Sequence, residues 1–203
     1  MVSAQVNEGV AIVRLNNSLG NNQLISEFDR VLDGLMDTKG LILDLRNTNT
    51  GGKTYVAKGI MSRFIDQELP YQKHEYIEQF DNQPAIVRSW YELVSPRAKQ
   101  YTKPVVVLVG RWTGSMGEGM AVGFEAMDRA PIVGTEMKRL AGSDFDFTFK
   151  HQDFKFKIIL EKLYHVDGRL RETYLPEHYV KQTNLGKDET LEKGMELIRT
   201  MTE

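Results

Sequence analysis

The sequence contains no cysteine, which removes disulfides, thiolate nucleophiles and cysteine metal sites and leaves the redox compartment open, since a cysteine-free chain suits either side of a membrane. An excess of charge of one sign is also missing. Over 203 residues, 26 Lys and Arg face 28 Asp and Glu, so there is neither the basic footprint of a nucleic-acid binder nor a polyanionic tail. No apolar run approaches the roughly 20 residues that span a bilayer, and the opening MVSAQVNEGVAIVRL lacks the basic and apolar blocks of a signal peptide. The four histidines lie far apart, without an HExxH pair, so neither a metal site nor another cofactor is expected. The stretch NTNTGGKT shares only its GK pair with a phosphate-binding loop, lacking the preceding spaced glycine. What is present, 41% apolar and 27% charged side chains, suffices for one domain around one sizeable core.

The first two thirds alternate strand with helix. Val10 to Leu15 is an apolar, β-branched run bounded by Gly9 and Asn16, as a buried strand would be. Leu24, Ile25, Phe28, Val31, Leu32 and Leu35 then recur at helical spacing, with Asn22 placed to cap and Lys39-Gly40 to terminate. GLILDLRN reads as a strand feeding the polar turn NTNTGG, and Tyr55 to Ile65 as a helix. KPVVVLVG is the clearest buried strand; Gly114 to Met127 follows as a helix rich in small residues, and Pro131 to Gly134 as a short strand. Pro70 to Ile77 reads as an exposed strand, and the residues from Glu78 to Tyr101 as a long surface excursion carrying a short helix near Val87 to Leu93. The period shifts to two at Phe145, Phe147 and Phe149 and again at Phe154, Phe156 and Ile158, which predicts antiparallel strands; Glu189 to Met201 closes the chain as an amphipathic helix. The expected fold is α/β, a mostly parallel sheet flanked by helices through right-handed crossovers, with an antiparallel strand annex in the last third. Ligands in such sheets sit at the carboxyl ends of strands, where the loops NTNTGG and GRWTGSMGEG fall.

The second loop carries the strongest chemical signal. Ser115 stands at a junction between a buried strand and a helix, its hydroxyl at the positive end of the helix dipole beside free backbone N–H groups that can hold an oxyanion. The glycine spacing differs from the nucleophile elbow of the α/β-hydrolases, because position 113 is Thr. The same residue also reads as a helix cap, with Glu118 three residues later completing a capping box. The two roles are compatible.

Taken in order, KGLILDLRNTNTGGKT, YTKPVVVLVGRWTGSMGEGMAVGFEAM, APIVGTEM and YHVDGRLRETYLPEHYV resemble the catalytic domain of the C-terminal processing (tail-specific) serine peptidases. The resemblance runs from about Val10 to Val180. It implies a fold related to ClpP and crotonase and cleavage of unfolded or C-terminal polypeptide segments through an acyl-enzyme. It also implies a location that in many members is outside the cytoplasm. By position it makes Ser115 the nucleophile and assigns the oxyanion hole to the backbone N–H of Met116 and one from Gly51 or Gly52. The general base stays open. Lysine-dependent members carry a Gly-Lys-Gly turn shortly after the VG that Val133-Gly134 matches; here the stretch is TEMKRLAG, and Lys138 lies two or three residues out of register, where it also reads as a solvated loop lysine. Tricorn-like members use histidine and glutamate, for which His74 and Glu172 are the candidates, although His74 by itself reads as an exposed strand residue. Histidine near pKa 6.5 suits serine activation at neutral pH, whereas lysine must be desolvated to serve. The chain has no room for the PDZ-like module that captures substrate in many members, so capture would fall to the groove itself, for example by β-addition to an exposed strand. Polypeptide is the expected partner, nucleic acid and membrane insertion are not expected, and the oligomeric state is left open. Two other readings use the same scaffold. One is a non-catalytic domain binding peptides or apolar ligands, supported by the displaced lysine. The other is a crotonase-like acyl-CoA enzyme, disfavoured because the glycine loops match the peptidase spacing better.

Overall fold

Short apolar strands, each divided between two faces, set the layering of this chain. A computed structural model describes residues 1–17, 19–49 and 51–203; Ser18, and Thr50 of the NTNTGG loop, lie outside the described residues. In order, the elements are β1 (Val2–Asn7), β2 (Val10–Leu15), α1 (Gln23–Asp33), β3 (Gly40–Asp44), α2 (Thr54–Met61), β4 (Leu69–Glu78), β5 (Ile86–Val94), β6 (Val105–Val109), α3 (Met116–Ala126), β7 (Ile132–Gly134), β8 (Gly142–Thr148), β9 (Lys155–Tyr164), a 3₁₀ turn (Arg171–Thr173), β10 (His178–Tyr179) and α4 (Glu189–Thr202). One sheet has the order β1-β2-β3-β6-β7-β10 and is parallel throughout except for the β1/β2 hairpin. Leu41, Leu43, Val105, Val107 and Val109 share a core with Phe28 of α1, Ile60 of α2 and Phe124 of α3. Their sequence neighbours Ile42, Val106 and Leu108 belong to a second, smaller core closed by Met195 and Ile198 of α4. An apolar run with no polar alternation is what a strand covered on both faces requires.

Asp44 is the exception at the end of β3. It is fully buried, and its carboxylate accepts from Arg14 Nε at 2.8 Å and from Arg46 through N, Nε and Nη2 at 3.0, 2.9 and 2.8 Å. Arg46 reaches on to Asp188, the cap of α4, at 2.6 and 2.9 Å, so the network ties α4 to the sheet. Burial alone would raise the Asp44 pKa, but Arg46, its own N–H and Arg14 hold it below the usual carboxylate range. A carboxyl depressed in the folded state adds stability above its unfolded pKa of about 4, and that stability is lost as the pH falls through the folded value. Asp44→Ala should therefore destabilise the protein by about 3 kcal/mol at pH 7, with the difference from wild type shrinking in denaturant melts below about pH 4.

Several sequence expectations need correction. The Val87 to Leu93 region is not a helix in a surface excursion but lies within β5, paired antiparallel with β4. The antiparallel unit accordingly starts in the middle of the chain: β4 and β5 join β8 and β9 in a second sheet of order β5-β4-β9-β8. β4 is central in that sheet, and Tyr71, Gln72 and His74 on it are buried rather than exposed. The strand over Pro70 to Ile77 was foreseen but not its burial, which comes from pairing with β5 on one side and distant β9 on the other; neither that pairing nor the one that makes Val87 to Leu93 a strand is written in local periodicity. At the start of α1 the Asn22 side chain makes no cap hydrogen bond and instead accepts from Lys53 Nζ at 3.0 Å. No helix among the described residues is long and apolar enough to cross a membrane.

Candidate active site

The two polar loops foreseen from the sequence meet. Ser115 sits between β6 and α3 at φ 54°, ψ −114°, a left-handed backbone that costs a non-glycine residue about 1–3 kcal/mol unless its surroundings enforce it. The enforcement comes mainly from Glu118. Its Oε2 accepts the Ser115 N–H at 2.7 Å, while the reciprocal approach of the Ser115 hydroxyl to the Glu118 N–H has capping-box placement without full hydrogen-bond geometry. The hydroxyl is thereby left for other work. From the loop after β3, Gly51 comes so close that a Cβ on it would lie 3.3 Å from Ser115 Oγ. The backbone N–H groups of Gly51 and Met116 donate to no described residue, and Met116 opens α3, where unpaired N–H groups and the helix dipole favour negative charge. Gly52 is placed differently: a Cβ there would overlap Leu19, at 2.4 Å from its Cβ, so Gly52 packs the loop down while Gly51 faces the serine.

Lys138 enters from the segment after β7. Its N–H donates to Thr113 O at 2.9 Å, its Cδ lies 2.6 Å from where a Gly114 Cβ would be, and its Nζ bonds the carbonyl of Asn49. The lysine therefore runs across the residue preceding Ser115, half-buried, along the path that a side chain at Gly114 would enter. No base is hydrogen-bonded to Ser115 Oγ among the described residues.

The sequence model of peptidase family S41 matches residues 9–174. The chain belongs to peptidase family S41. None of the curated proteins matches it significantly. Its structure is similar to that of a proposed peptidase from Parabacteroides merdae ATCC 43184, with TM-score 0.82 and 18% identity, covering 97% of this chain and 63% of that one. Mature CPAF complexed with lactacystin gives 0.74 and 16%, covering 99% and 53%. The photosystem II D1 C-terminal processing protease gives 0.64 and 18%, covering 96% and 46%. At such identities these likenesses speak for the fold, an α/β fold with a mostly parallel sheet and a separate antiparallel one. The S41 chain spans less than two thirds of the length of each of the three structures.

The histidine and glutamate candidates of this S41 chain are not joined to each other. His74 is buried on β4 under Trp90, with ring centroids 5.3 Å apart. Its Nδ1 is 2.6 Å from Glu161 Oε1 and its Nε2 2.9 Å from Gln72 Nε2. Each ring nitrogen therefore has a side-chain partner, and both are committed. Bonding to His74 holds the Glu161 carboxyl below its usual range. Glu172 lies on the 3₁₀ turn; its carbonyl accepts from Arg139 Nε at 2.8 Å, and its Oε2 is buried with no partner.

Sequence reasoning gave Glu118 only a cap's role and overlooked Arg171. Besides Ser115, the fully buried Glu118 carboxylate accepts from the N–H groups of Arg139 and Leu140 at 2.8 and 3.3 Å. Arg171 stands 3.9 Å from the same carboxylate and donates to Leu140 O at 3.1 Å. Burial pushes the Glu118 carboxyl up, opposed by Arg171 and the three backbone donors. This strap fixes the Lys138 segment relative to Ser115. Its signal in the sequence was the S-x-x-E spacing, which shows the contact at the helix start but not the one to residues 139 and 140.

The closeness of Gly51 has a measurable consequence. Gly51→Val would set a branched side chain against Ser115 Oγ. Since Gly51 is exposed, the melting temperature should change little while peptide turnover falls about 10²-fold, the scale of losing one oxyanion-hole interaction. Unchanged turnover would show that the space between Gly51 and Ser115 Oγ takes no part in activity.

Proposed function

We propose that this S41 chain is a serine peptidase acting on unfolded or C-terminal polypeptide segments, with Ser115 as nucleophile and Lys138 as general base. The observation that supports it most is the serine at the start of α3, held at φ 54°, ψ −114° with its Oγ against Gly51 and its N–H donating to Glu118, because backbone strain that the surroundings enforce clusters at active sites. In the reaction, Ser115 Oγ attacks the scissile carbonyl carbon as its proton passes to a neutral Lys138 Nζ released from Asn49 O. The oxygen of the tetrahedral intermediate takes the N–H groups of Met116 and Gly51. Collapse breaks the C–N bond, the amine leaves with the proton from Lys138, and water then hydrolyses the ester on Ser115 by the same route. Lys138 is preferred to His74 because its stem lies beside the residue preceding the nucleophile and a single backbone carbonyl holds its Nζ, whereas His74 is buried on β4 with both ring nitrogens held by side chains.

Incubation of the protein and its Ser115→Ala variant with unstructured polypeptides, followed by mass spectrometry, tests the reading. Cleavage present in the first and lost in the second is the expected result. Absence of cleavage by both, with retained peptide binding, would instead favour a binding protein on the same scaffold.

A further inference from the structure

A cleft of about 740 Å³ opens at the carboxyl ends of β2, β3 and β6 and has no part in the chemistry above. Strand alternation decides which side of the sheet it occupies. Arg14 and Asp44 follow Ile12 and Ile42 by two residues and share their α4-facing side. The cleft is lined by four cations against two carboxylates. Both carboxylates are already committed, Asp44 to Arg14 and Arg46 and Asp188 to Arg46. The other two cations, Arg111 and Lys181, make no hydrogen bond or ion pair among the described residues.

Arg111 is presented on a rigid turn. Thr113 N donates to Gly110 O at 2.8 Å, Gly110 N to Thr113 Oγ1 at 3.1 Å, and Thr113 Oγ1 to Leu45 O at 3.0 Å. The guanidinium rests over Trp112, 4.9 Å from the ring centroid, a contact that orients it while leaving its N–H edge free to bond a carboxylate. Trp112 also lies 5.8 Å from Lys138 Nζ, so the cleft adjoins the Ser115 site across one side chain. In a concave setting, uncompensated cations concentrate anions. The chain as a whole, at a net charge of −2, offers no such attraction to polyanions.

We propose that this cleft binds a carboxylate carried by the peptide substrate, an acidic side chain or the chain terminus, and so selects which bond reaches Ser115. The proposal rests on the peptidase reading for its substrate. An extended peptide advances about 3.3 Å per residue, so the recognised carboxylate would stand a few residues from the scissile bond.

The test uses matched peptides that differ only in Glu against Gln at successive positions, each with a free or an amidated C-terminus. The wild-type protein should cleave the best carboxylate-bearing peptide about ten-fold more efficiently than its neutral partner, through KM, with the preference fading as salt is raised. Arg111→Gln with Lys181→Gln should bring that ratio toward one. The ratio is internal to each protein, so a general loss of activity does not mimic the result. The Glu/Gln arm and the acid/amide arm identify which carboxylate is read. Equal treatment of all peptides by wild type, or a preference surviving in the double variant, would overturn the proposal. If no peptide is cleaved at all, anisotropy titration of the same labelled peptides against Ser115→Ala still measures the preference, which separates failure of the cleft from failure of the peptidase reading.

Discussion

Replacing Ser115 by alanine is expected to lower peptide turnover by roughly 10⁴- to 10⁶-fold, the scale seen when a serine nucleophile is removed from a hydrolase, without unfolding the protein. Alanine keeps the Cβ, and the Ser115 N–H still donates to Glu118. The left-handed φ of 54° therefore stays as strained as before. Ser115→Gly should be equally inactive but more stable than Ser115→Ala by about 1 kcal/mol, since glycine adopts that backbone freely and loses only part of the gain to its more flexible unfolded state. Turnover by hand-mixed assay and thermal melts of the three proteins measure both effects. A Ser115→Ala protein that still cleaves would remove the nucleophile assignment. A Ser115→Gly protein less stable than Ser115→Ala would show that the turn is not the seat of strain.

Lys138→Met should lower kcat/KM about 10²- to 10⁴-fold, the range for loss of a general base, while methionine keeps the stem across Gly114. The pH dependence distinguishes the candidates. A lysine base acts only when neutral, so activity should climb as the pH rises toward the alkaline range, whereas a histidine base would level off near neutrality. His74→Ala is expected to weaken the β4 and β9 pairing by losing the bond to Glu161, yet to leave the shape of that profile unchanged. A plateau near pH 7 abolished by His74→Ala would transfer the base to the histidine and require the Gln72 and Glu161 bonds to rearrange.

Much of the first sheet was legible because its cause is local. Leu41 to Leu45 and Val105 to Val109 are apolar enough to be strands under any packing, and the helical spacing from Leu24 to Leu35 needs no partner to be read. β5 was misread for the opposite reason: Trp90 and Tyr91 are exposed on a strand whose only guide is its pairing with β4. His74 illustrates the same point at the level of one side chain. Gln72 is a neighbour on its own strand, but the Trp90 ring that covers it and the Glu161 carboxylate that bonds it come from β5 and β9, which the sequence around position 74 does not contain.

For the site, the chemistry available could be read from residue order alone: a serine between a buried strand and a helix, two glycine loops at the carboxyl ends of neighbouring strands, and no thiol. Which groups share a space was decided by tertiary structure alone. Gly51 rather than Gly52 faces Ser115, because Gly52 is held on Leu19. Lys138 reaches the turn that carries Ser115 because Glu118 and Arg171 pin the following segment there. The physical reason is that backbone propensity acts over a few residues, whereas contacts between loops follow from how two buried faces of one sheet are covered.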